Sequence, residues 1–355
     1  MTTLSDENQG RPPRQRPTMR DVAALAGVGI KTVSRVINDE PGVTPATAER
    51  VHAAARALSF RPDLTAGTLR RSDRRSRSLG LILASVDNPF CAAVHRAVED
   101  VAALRGVAVF SASIDEDPER ERDLVAAFTS RRVDGLIMTA ASTDHSYLRN
   151  EQESGTPIIL VDRPPQGLEV DSVVVDNAEG ARQATAHLIR HGHRRIAYLG
   201  DLSRIATARL RHAGFLAAAL EAGIPTDQLR AIDDLHSEDA AEAAALRLLD
   251  GPEPPTALFA SQNLVTIGTI RALRARGVQH TVALVGFDDF ELADLLEPAV
   301  TVIAQDPARM GALAAEQVFA RIDGGHLPVC RTVVPTRLIE RGSGEIRPPA
   351  TDWTP

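Results

Sequence analysis

The sequence has few of the residue types that build disulfide frameworks, membrane spans or aromatic ligand platforms. Its 355 residues include two cysteines, one tryptophan and two tyrosines, and aromatic residues make up 3% of the chain. Cys91 and Cys330 are far apart and fit no metal-ligand spacing, which argues against a disulfide or metal framework and favours a reducing cytosol. No apolar run reaches the length of a membrane helix, and the polar, proline-rich start does not resemble a secretory signal. We therefore expect a cytoplasmic protein without a membrane partner.

Positive charge is scarce in the chain as a whole but concentrated near its N-terminus. The formal net charge is −7, although residues 1–78 contain 14 Arg and Lys against eight Asp and Glu, a local charge of +6. The remaining residues therefore carry −13. Lys31 is the only lysine in the sequence. A basic head on an acidic body is typical of a nucleic-acid-binding module joined to a sensor domain.

Residues 18–38 predict a helix, a tight turn and a second helix. Thr18 followed by Asp21 is a capping-box pattern, Gly27 suits a left-handed turn, and Gly29 opens the second helix. The predicted inward positions are Val22, Ala23, Leu25 and Ala26 in the first helix and Val33, Val36 and Ile37 in the second. The predicted outward positions of the second helix are Ile30, Lys31, Ser34 and Arg35. A short helix with a cationic outer face fits the major groove of DNA.

This segment closely resembles the helix-turn-helix of the lactose-repressor (LacI/GalR) family of bacterial transcription regulators. The shared pattern is D-V-A-x-x-A-G-V from Asp21, then T-V-S-R-V-I-N from Thr32. The resemblance continues to about Arg341 and so covers nearly the whole chain. It implies base reading by Ile30, Lys31 and Arg35. The implied DNA-binding set is completed by Thr18, Thr32, Ser34, Asn38, Thr44 and Thr47, whose threonines are equally suited to helix capping and to phosphate contact.

A hinge helix is implied over Leu64 to Arg70, with Ala66 and Leu69 in the positions that the family inserts into the minor groove. Gly67 stands where many members have arginine. Glycine weakens a helix interior, so we expect a hinge that melts easily. Such a short helix is not expected to persist alone in water, which suits a switch that forms on DNA.

The residues after the hinge alternate buried strands with amphipathic helices, the pattern of parallel α/β sheets. The fold class is therefore an all-α helix-turn-helix head plus an α/β, two-lobed sensor of periplasmic-binding-protein type with doubly wound parallel sheets. The predicted domains are a disordered arm (1–17), a DNA-binding domain (18–62), a hinge helix and linker (63–78), an effector-binding domain (79–341) and a disordered tail (342–355). We assign lobe 1 to about 79–161 and 291–325, and lobe 2 to about 162–290 and 326–341.

The resemblance also implies an effector cleft between the lobes. The expected cleft residues are Asp87, Phe90, Thr139, Asp162, Thr207, Arg211, Gln262, Asp288 and Gln305. Arg211 and Asp288 are expected to face one another across the cleft and to bind ligand hydroxyls, or a carboxylate in the case of Arg211. Gln262-Asn263 departs from the common Asn-Asp pair of the family, which leaves the ligand class open. Leu235 or His236 falls where several members place an aromatic lid.

Two other classes of protein fit the sequence less well than a regulator does. A Rossmann-type oxidoreductase needs a glycine fingerprint after its first strand, which is missing there, and no catalytic triad or cofactor motif is present. A periplasmic solute-binding protein needs a signal peptide and no head. A metal site could be suggested by His187, His191 and His193. Their position at a helix end, with Gly192 as its terminator, favours an ordinary helix C-terminus instead.

We therefore expect a ligand-responsive, non-enzymatic transcriptional regulator without a cofactor. It should repress by binding a pseudo-palindromic DNA operator as a homodimer, although activation stays open. The expected effector is a sugar or related polyol, with a nucleoside or purine as the second choice.

Overall fold

The computed structural model describes residues 17–38, 40–60, 75–226, 229–325 and 328–350. These residues form two compact units, one ending at Ser76 and one beginning at Arg77. The predicted arm before Pro17 and the predicted hinge helix, with Ala66, Gly67 and Leu69, lie outside the described residues.

The N-terminal unit is a three-helix head built as the capping residues predict. Its helices are α1 (Met19–Ala26), α2 (Ile30–Ile37) and α3 (Pro45–Ala57). Thr18 and Asp21 form a complete capping box at the start of α1, and Gly27 ends that helix with φ 64°. Thr44 caps α3, in which Pro45 takes the first helical position. Helices α1 and α3 therefore begin at side chains that cap them, and α1 ends at a left-handed glycine.

The core of the head consists of small apolar side chains. Its buried members are Val22, Ala23, Ala26, Val33, Val36, Val51, Ala54 and Ala55. The prediction that Leu25 belongs to this core is wrong, because its side chain is 55% exposed. Leu25 is three residues after Val22, but the three helices meet on the side of α1 that carries Val22 and Ala26.

The second unit alternates strands and helices along its whole length. Its elements in chain order are β1 (Ser78–Leu83), α4 (Pro89–Leu104), β2 (Ala108–Ser113), α5 (Pro118–Ser130), β3 (Gly135–Met138), α6 (Arg149–Glu153), β4 (Ile158–Asp162), β5 (Asp171–Val175), α7 (Asn177–Arg190), β6 (Ile196–Leu199), α8 (Ala206–Glu221), β7 (Arg230–Ile232), α9 (Glu238–Leu249), β8 (Ala257–Ala260), α10 (Asn263–Ala275), β9 (Ala283–Phe287), β10 (Thr301–Ala304), α11 (Pro307–Ile322), β11 (Arg331–Val334) and β12 (Arg337–Ile339). A short 3₁₀ helix, Ser146–Leu148, precedes α6.

These elements form two lobes, each with a six-stranded sheet. The sheet of lobe 1 has the order β11-β5-β4-β3-β1-β2, and all its strand pairs are parallel. The sheet of lobe 2 has the order β12-β10-β9-β8-β6-β7 and is parallel except for β12, which runs antiparallel to β10. Strands buried on both faces by helices explain the continuous apolar runs of the sequence.

Each sheet has an apolar core on both of its faces. In lobe 1, Leu81 packs with helices α4 and α11 on one face, while Ile82 packs with Val125 and Phe128 of α5 on the other. In lobe 2, helices α7 and α8 approach so closely that a Cβ at Gly214 would overlap the carbonyl oxygen of Ala178. This contact explains a glycine inside a helix, where it otherwise costs stability.

The predicted lobe boundaries misplace three strands. Strands β5 and β11 belong to the sheet of lobe 1, and β10 belongs to the sheet of lobe 2. The chain therefore first crosses between the lobes at Asp176 and not at Asp162. The second and third crossings follow β10 and β11. The sequence alone does not distinguish these assignments, because the apolar residues of β5, β10 and β11 would suit a strand of either sheet. Lobe 1 is therefore about 78–175 and 307–334, and lobe 2 is about 177–304 and 337–350.

The predicted disordered tail is wrong for residues 342–350. Ser343 is 3% exposed, and its hydroxyl donates to the Leu284 carbonyl oxygen at 2.7 Å and accepts from the Thr301 amide at 2.9 Å. A Cβ at Gly344 would lie 2.9 Å from Val285 Cγ2, so the segment passes tightly over lobe 2 there, whereas Gly342 has a φ of 121°. Among the described residues, no helix is both long and apolar enough to span a membrane.

Candidate DNA interface and ligand cleft

The outward face of α2 carries the three side chains predicted to read bases. Ile30, Lys31 and Arg35 are exposed, while Val33 and Val36 are buried against the rest of the head. Arginine and lysine donate to guanine O6 and N7, and an exposed isoleucine gives apolar contact to a thymine methyl group. The helix begins at Gly29, which has no side chain to cap it.

The remaining predicted DNA-binding residues of the head already make local contacts. Thr18 and Thr44 cap α1 and α3, and the Thr44 hydroxyl donates to Thr47 Oγ1 at 3.0 Å. Asn38 Nδ2 donates to the half-buried Ser34 hydroxyl at 3.3 Å. Thr32 is half-buried in the first turn of α2. The capping roles are confirmed, and phosphate contact by the same groups stays a prediction.

A cavity of about 390 Å³ lies between the two lobes of the second unit. Polar and charged side chains dominate its lining, which is Ala84, Ser85, Asp87, Asn88, Phe90, Cys91, Asp115, Glu116, Asp162, Arg163, Asp201, Thr207, Arg211, His236, Gln262, Leu264, Asp288 and Gln305. Most of these residues follow the carboxyl ends of parallel strands or begin the next helix, where open α/β sheets bind ligands.

The cavity brings together every predicted cleft residue except Thr139. Thr139 is 2% exposed, and its hydroxyl donates to the Val161 carbonyl oxygen at 3.3 Å. It directly follows β3 and bonds a residue of β4, so its side chain joins two strands and is not part of the cavity lining.

Arg211 is the buried cation at the centre of lobe 2's wall. It is 6% exposed, and its guanidinium lies 3.8 Å from the centre of the Phe287 ring. Its Nε donates to Asn177 Oδ1 and its Nη1 to the Ser261 carbonyl oxygen, both at 2.7 Å. These contacts hold the guanidinium in one orientation beside the cavity.

The prediction that Arg211 and Asp288 face each other across the cleft is wrong. Both belong to lobe 2, with Arg211 Nη1 3.8 Å from Asp288 Oδ2. The carboxylate on the opposite wall is Asp162, at the end of β4 in lobe 1. Arg211 lies on α8 and Asp288 directly follows β9, and both elements belong to lobe 2 under the predicted and the observed boundaries alike.

Asp162 and Asp288 occupy equivalent positions in the two lobes. Each ends a buried strand or directly follows one, with φ values of 72° and 71°. Burial raises the pKa of Asp162 to about 6, although Arg163 and Arg211 oppose the rise. Burial also raises the pKa of Asp288, against the effects of Arg211 and of the hydrogen bond from Gln305. The site therefore holds two carboxylates that are poorly compensated for burial.

The sequence analysis missed two ion pairs of the cleft. Arg163 donates to both carboxylate oxygens of Glu116, at 2.8 and 2.6 Å, and both side chains are almost fully buried. His236 Nδ1 lies 2.6 Å from Asp201 Oδ1, and this contact raises the pKa of His236. Glu116 and Asp201 each come just after a strand, so the strand-end rule that identified Asp87 offered a signal for both. Leu235 is buried in the core, which leaves His236 as the residue at the predicted lid position.

The chain matches two family models. Residues 18–63 match the model of bacterial regulatory proteins of the lacI family, and residues 185–344 match a periplasmic binding protein-like domain. The HTH-type transcriptional regulator CelR of Thermobifida fusca is 35% identical over 341 residues, covering 93% of this chain and 99% of the relative. This chain belongs to the LacI family. It is a DNA-binding transcriptional regulator with the predicted two-part architecture.

Other LacI-family proteins match along almost their whole length. The ribose operon repressor of Halalkalibacterium halodurans is 30% identical, with 91% of this chain and 96% of the relative covered. The crystal structure of the Lac repressor dimer bound to operator and an anti-inducer aligns with a TM-score of 0.82 at 25% identity, covering 93% of this chain and 99% of that one. The complex of the transcriptional regulator CelR with cellobiose aligns with a TM-score of 0.67 at 32% identity, covering 92% and 100%.

Proposed function

We propose that this regulator is a repressor whose affinity for DNA is controlled by a polyol bound between its lobes. It acts in the bacterial cytosol as a homodimer on a pseudo-palindromic operator, and it catalyses no reaction. Two heads related by a two-fold axis match two half-sites, which is why a dimer and a palindrome belong together.

The observation that carries this proposal is the polar cleft. Arg211 and Asp288 are held by buried hydrogen bonds, and together with Asp162 they line a cavity whose volume suits a small ligand. Alternating donors and acceptors from both lobes are what ligand hydroxyls require. A ligand that contacts both lobes changes the relative free energies of the lobe orientations and so shifts the equilibrium between them.

A sugar-like polyol fits this cleft better than a purine does. Phe90 is the one phenyl ring of the lining, and the described part of the lining has no second phenyl, tyrosine or indole ring to sandwich a flat base. Stacking on aromatic side chains contributes strongly to the binding of bases, whereas ligand hydroxyls are bound by carboxylate, amide and guanidinium groups. The cellobiose complex of CelR and the ribose complex of an Enterococcus faecium regulator are consistent with this choice.

On the DNA side, we assign base reading to the exposed face of α2. Arg35 is expected to bond a guanine bidentately, Lys31 to bond a guanine or a phosphate, and Ile30 to contact a thymine methyl group. Thr18, Thr32, Ser34, Asn38, Thr44 and Thr47 are assigned to phosphate contact near helix ends, in addition to their local hydrogen bonds.

The test begins with selection of bound duplexes from a random DNA library by the purified protein. The selected sites should contain two inverted half-sites. A panel of sugars, nucleosides and purines is then screened for compounds that alter affinity for the selected DNA. Arg211→Ala should abolish the ligand response without weakening DNA binding in the absence of ligand. A normal response in that variant, or a response to purines alone, would contradict the proposed cleft function.

A further inference from the structure

The cleft contains more negative than positive groups. Six carboxylates line it, from Asp87, Asp115, Glu116, Asp162, Asp201 and Asp288. Against them stand two guanidinium groups, from Arg163 and Arg211, and the imidazole of His236. With His236 protonated, the formal charge of the lining residues is −3. Arg120, 2.5 Å from Asp115, and Arg204, 4.0 Å from Glu116, lie outside the lining and leave the balance negative. The sign of this charge has a consequence for the ligand, because charges inside a partly closed cleft are weakly screened.

Each positive group of the cleft already has an anionic partner. Arg163 uses Nη1 and Nη2 on Glu116, and Nη1 also donates to the Ala140 carbonyl oxygen at 2.8 Å. His236 contacts Asp201. An anionic ligand that approached either group would have to compete with a carboxylate fixed by the fold.

Arg211 is the remaining cation, and it too is partly compensated. Two of its nitrogens donate to Asn177 and to the Ser261 carbonyl oxygen, and Asp288 lies 3.8 Å from Nη1. A ligand carboxylate or phosphate placed against Arg211 would therefore come close to Asp288 as well. A hydroxyl in the same place can accept from Arg211 and donate to Asp288, which satisfies both groups.

Asp162 and Asp288 have a surplus of negative charge. Asp162 Oδ2 lies 3.8 Å from Arg163 Nε, but Arg163 already donates two hydrogen bonds to the Glu116 carboxylate. The Asp288 carboxylate disfavours the ionisation of Asp162 and so adds to the rise in the pKa of Asp162. These two groups favour a ligand that brings hydrogen-bond donors or positive charge.

We propose that the cleft selects its effector by charge: it accepts polyols that are neutral or carry an amine, and it excludes those that carry a phosphate or a carboxylate. This inference rests on the proposed polyol-sensing function and narrows it. Phosphorylated sugars and sugar acids are thereby ruled out as effectors, while an amine in place of a hydroxyl is tolerated.

Matched ligand sets test the exclusion directly. One set is glucose, glucosamine, glucuronate and glucose 6-phosphate; a second is ribose and ribose 5-phosphate; a third is cellobiose and cellobionate. Binding to the full-length protein is measured by calorimetry. In any set with a binder, the neutral or aminated member should bind at least ten times more tightly than the acid or the phosphate. An acid or phosphate that is the tightest member of its set would overturn the inference.

Variants identify which carboxylate is responsible. Asp162→Asn removes one negative charge from the cleft with little change in shape, so the repulsion of an anionic ligand weakens and the preference for the neutral member should fall by at least about tenfold. Asp239→Asn is the control, because its side chain is 93% exposed on the surface of lobe 2 and outside the cleft lining. It should leave the preference unchanged. Equal preferences in wild type and Asp162→Asn would contradict the assignment of the exclusion to Asp162.

The results separate this inference from the proposed function. Binding of an acid or a phosphate that alters DNA affinity would contradict charge exclusion and leave ligand-controlled DNA binding intact. Failure of every member to bind, at concentrations up to the millimolar range, would contradict polyol sensing and the inference together.

Discussion

Asn88 and Asn263 donate to each other across the cleft. Asn88 Nδ2 donates to Asn263 Oδ1 at 3.3 Å, and Asn263 Nδ2 donates to Asn88 Oδ1 at 2.9 Å. Asn88 belongs to lobe 1 and Asn263 to lobe 2, so the pair holds the lobes together without a ligand. Asn263 stands where the family commonly has aspartate, and the amide makes this reciprocal pairing possible. A second contact between the lobes, from Arg204 Nη2 to the Glu116 carbonyl oxygen, is 3.1 Å long.

Replacement of both asparagines by aspartate should open the lobes. Each carboxylate keeps its role as acceptor from a backbone amide, that of Phe90 or Leu264, but both donors across the cleft are lost. Two like charges near a protein surface repel by about 4 kcal/mol at 4 Å. We expect the radius of gyration from X-ray scattering to rise at pH 7.5 and to return towards the wild-type value near pH 4, where the carboxylates take up protons. Asn88→Asp alone keeps the bond from Asn263 and is the matched control. Identical scattering by the double variant and the wild type at pH 7.5 would contradict the role of this pair.

Arg35 and Lys31 should contribute differently to DNA binding. Arg35→Ala is expected to weaken binding to a selected site by about 1–3 kcal/mol and to relax the preference for guanine at one position. Lys31→Ala should weaken binding to many sequences alike if its main contact is a phosphate. Fluorescence anisotropy on the selected site and on single-base variants distinguishes the two. Arg56→Ala removes the same charge from α3, where Arg56 pairs with Glu49, and serves as the control. A loss equal to that of the control would show that Arg35 reads no base.

The stability of the protein should depend on pH through Asp162. Its pKa is raised by burial from the ordinary value of 3.8 to about 6, so the folded state binds more protons than the unfolded state between these values. This contribution is fully present below pH 4 and is lost as pH rises through 6. Relative to Asp162→Asn, the wild type should lose about 2–3 kcal/mol of unfolding free energy between pH 4 and pH 7. Urea denaturation of both proteins, with Asp239→Asn alongside, measures this difference. Parallel pH curves for wild type and Asp162→Asn would contradict it.

The sequence predicted the head well because each signal there is local. Thr18, Gly27, Thr44 and Pro45 act on their own helix ends, so their roles follow from spacing alone. Leu25 was assigned wrongly because its burial depends on where the other two helices cross α1. That crossing is a matter of tertiary packing, which a helical period by itself does not determine.

The sequence predicted those cleft residues that directly follow a strand. It did not predict contacts between segments that are far apart in the chain. Asp162 and Asp288 follow obvious strands, but only the fold brings Glu116 to Arg163 or Asn88 to Asn263. The lobe boundary was misplaced for the same reason, since the apolar sequence of β5 does not indicate which of the two sheets it joins. The packed segment after Arg341 has a composition typical of a loose tail, and its order comes from contacts with Leu284 and Thr301 far back in the chain.

The buried pair of Arg163 and Glu116 should be strongly coupled. Their side chains are 9% and 4% exposed, and two hydrogen bonds join them. Glu116→Gln or Arg163→Met alone leaves one charge buried without its partner, which costs about 3–5 kcal/mol. The double variant should cost less than the sum of the two by at least about 1 kcal/mol in a denaturation cycle. The exposed pair Arg276 and Asp250 is the control, because its loss should cost less than about 1 kcal/mol. Additive losses at the buried pair would contradict the coupling.

The last prediction concerns Glu345, in the segment that the composition suggested was loose. Its Oε2 accepts from Thr301 Oγ1 at 2.8 Å and from the Gly342 amide at 2.6 Å, and its Oε1 lies 2.7 Å from His187 Nε2. Burial alone would raise the pKa of Glu345, but these contacts outweigh it and lower the pKa from 4.5 to about 2. The carboxylate therefore stabilises the fold above pH 4.5, and this contribution is lost as pH falls towards 2. Glu345→Gln should cost on the order of 2 kcal/mol of unfolding free energy at pH 6, with a smaller cost at pH 3. Glu291→Gln, at an exposed position of the same lobe, should cost almost nothing at either pH. A cost for Glu345→Gln that does not change with pH would contradict the low pKa, and no cost at all would show that the contacts of Glu345 add nothing to the stability of lobe 2.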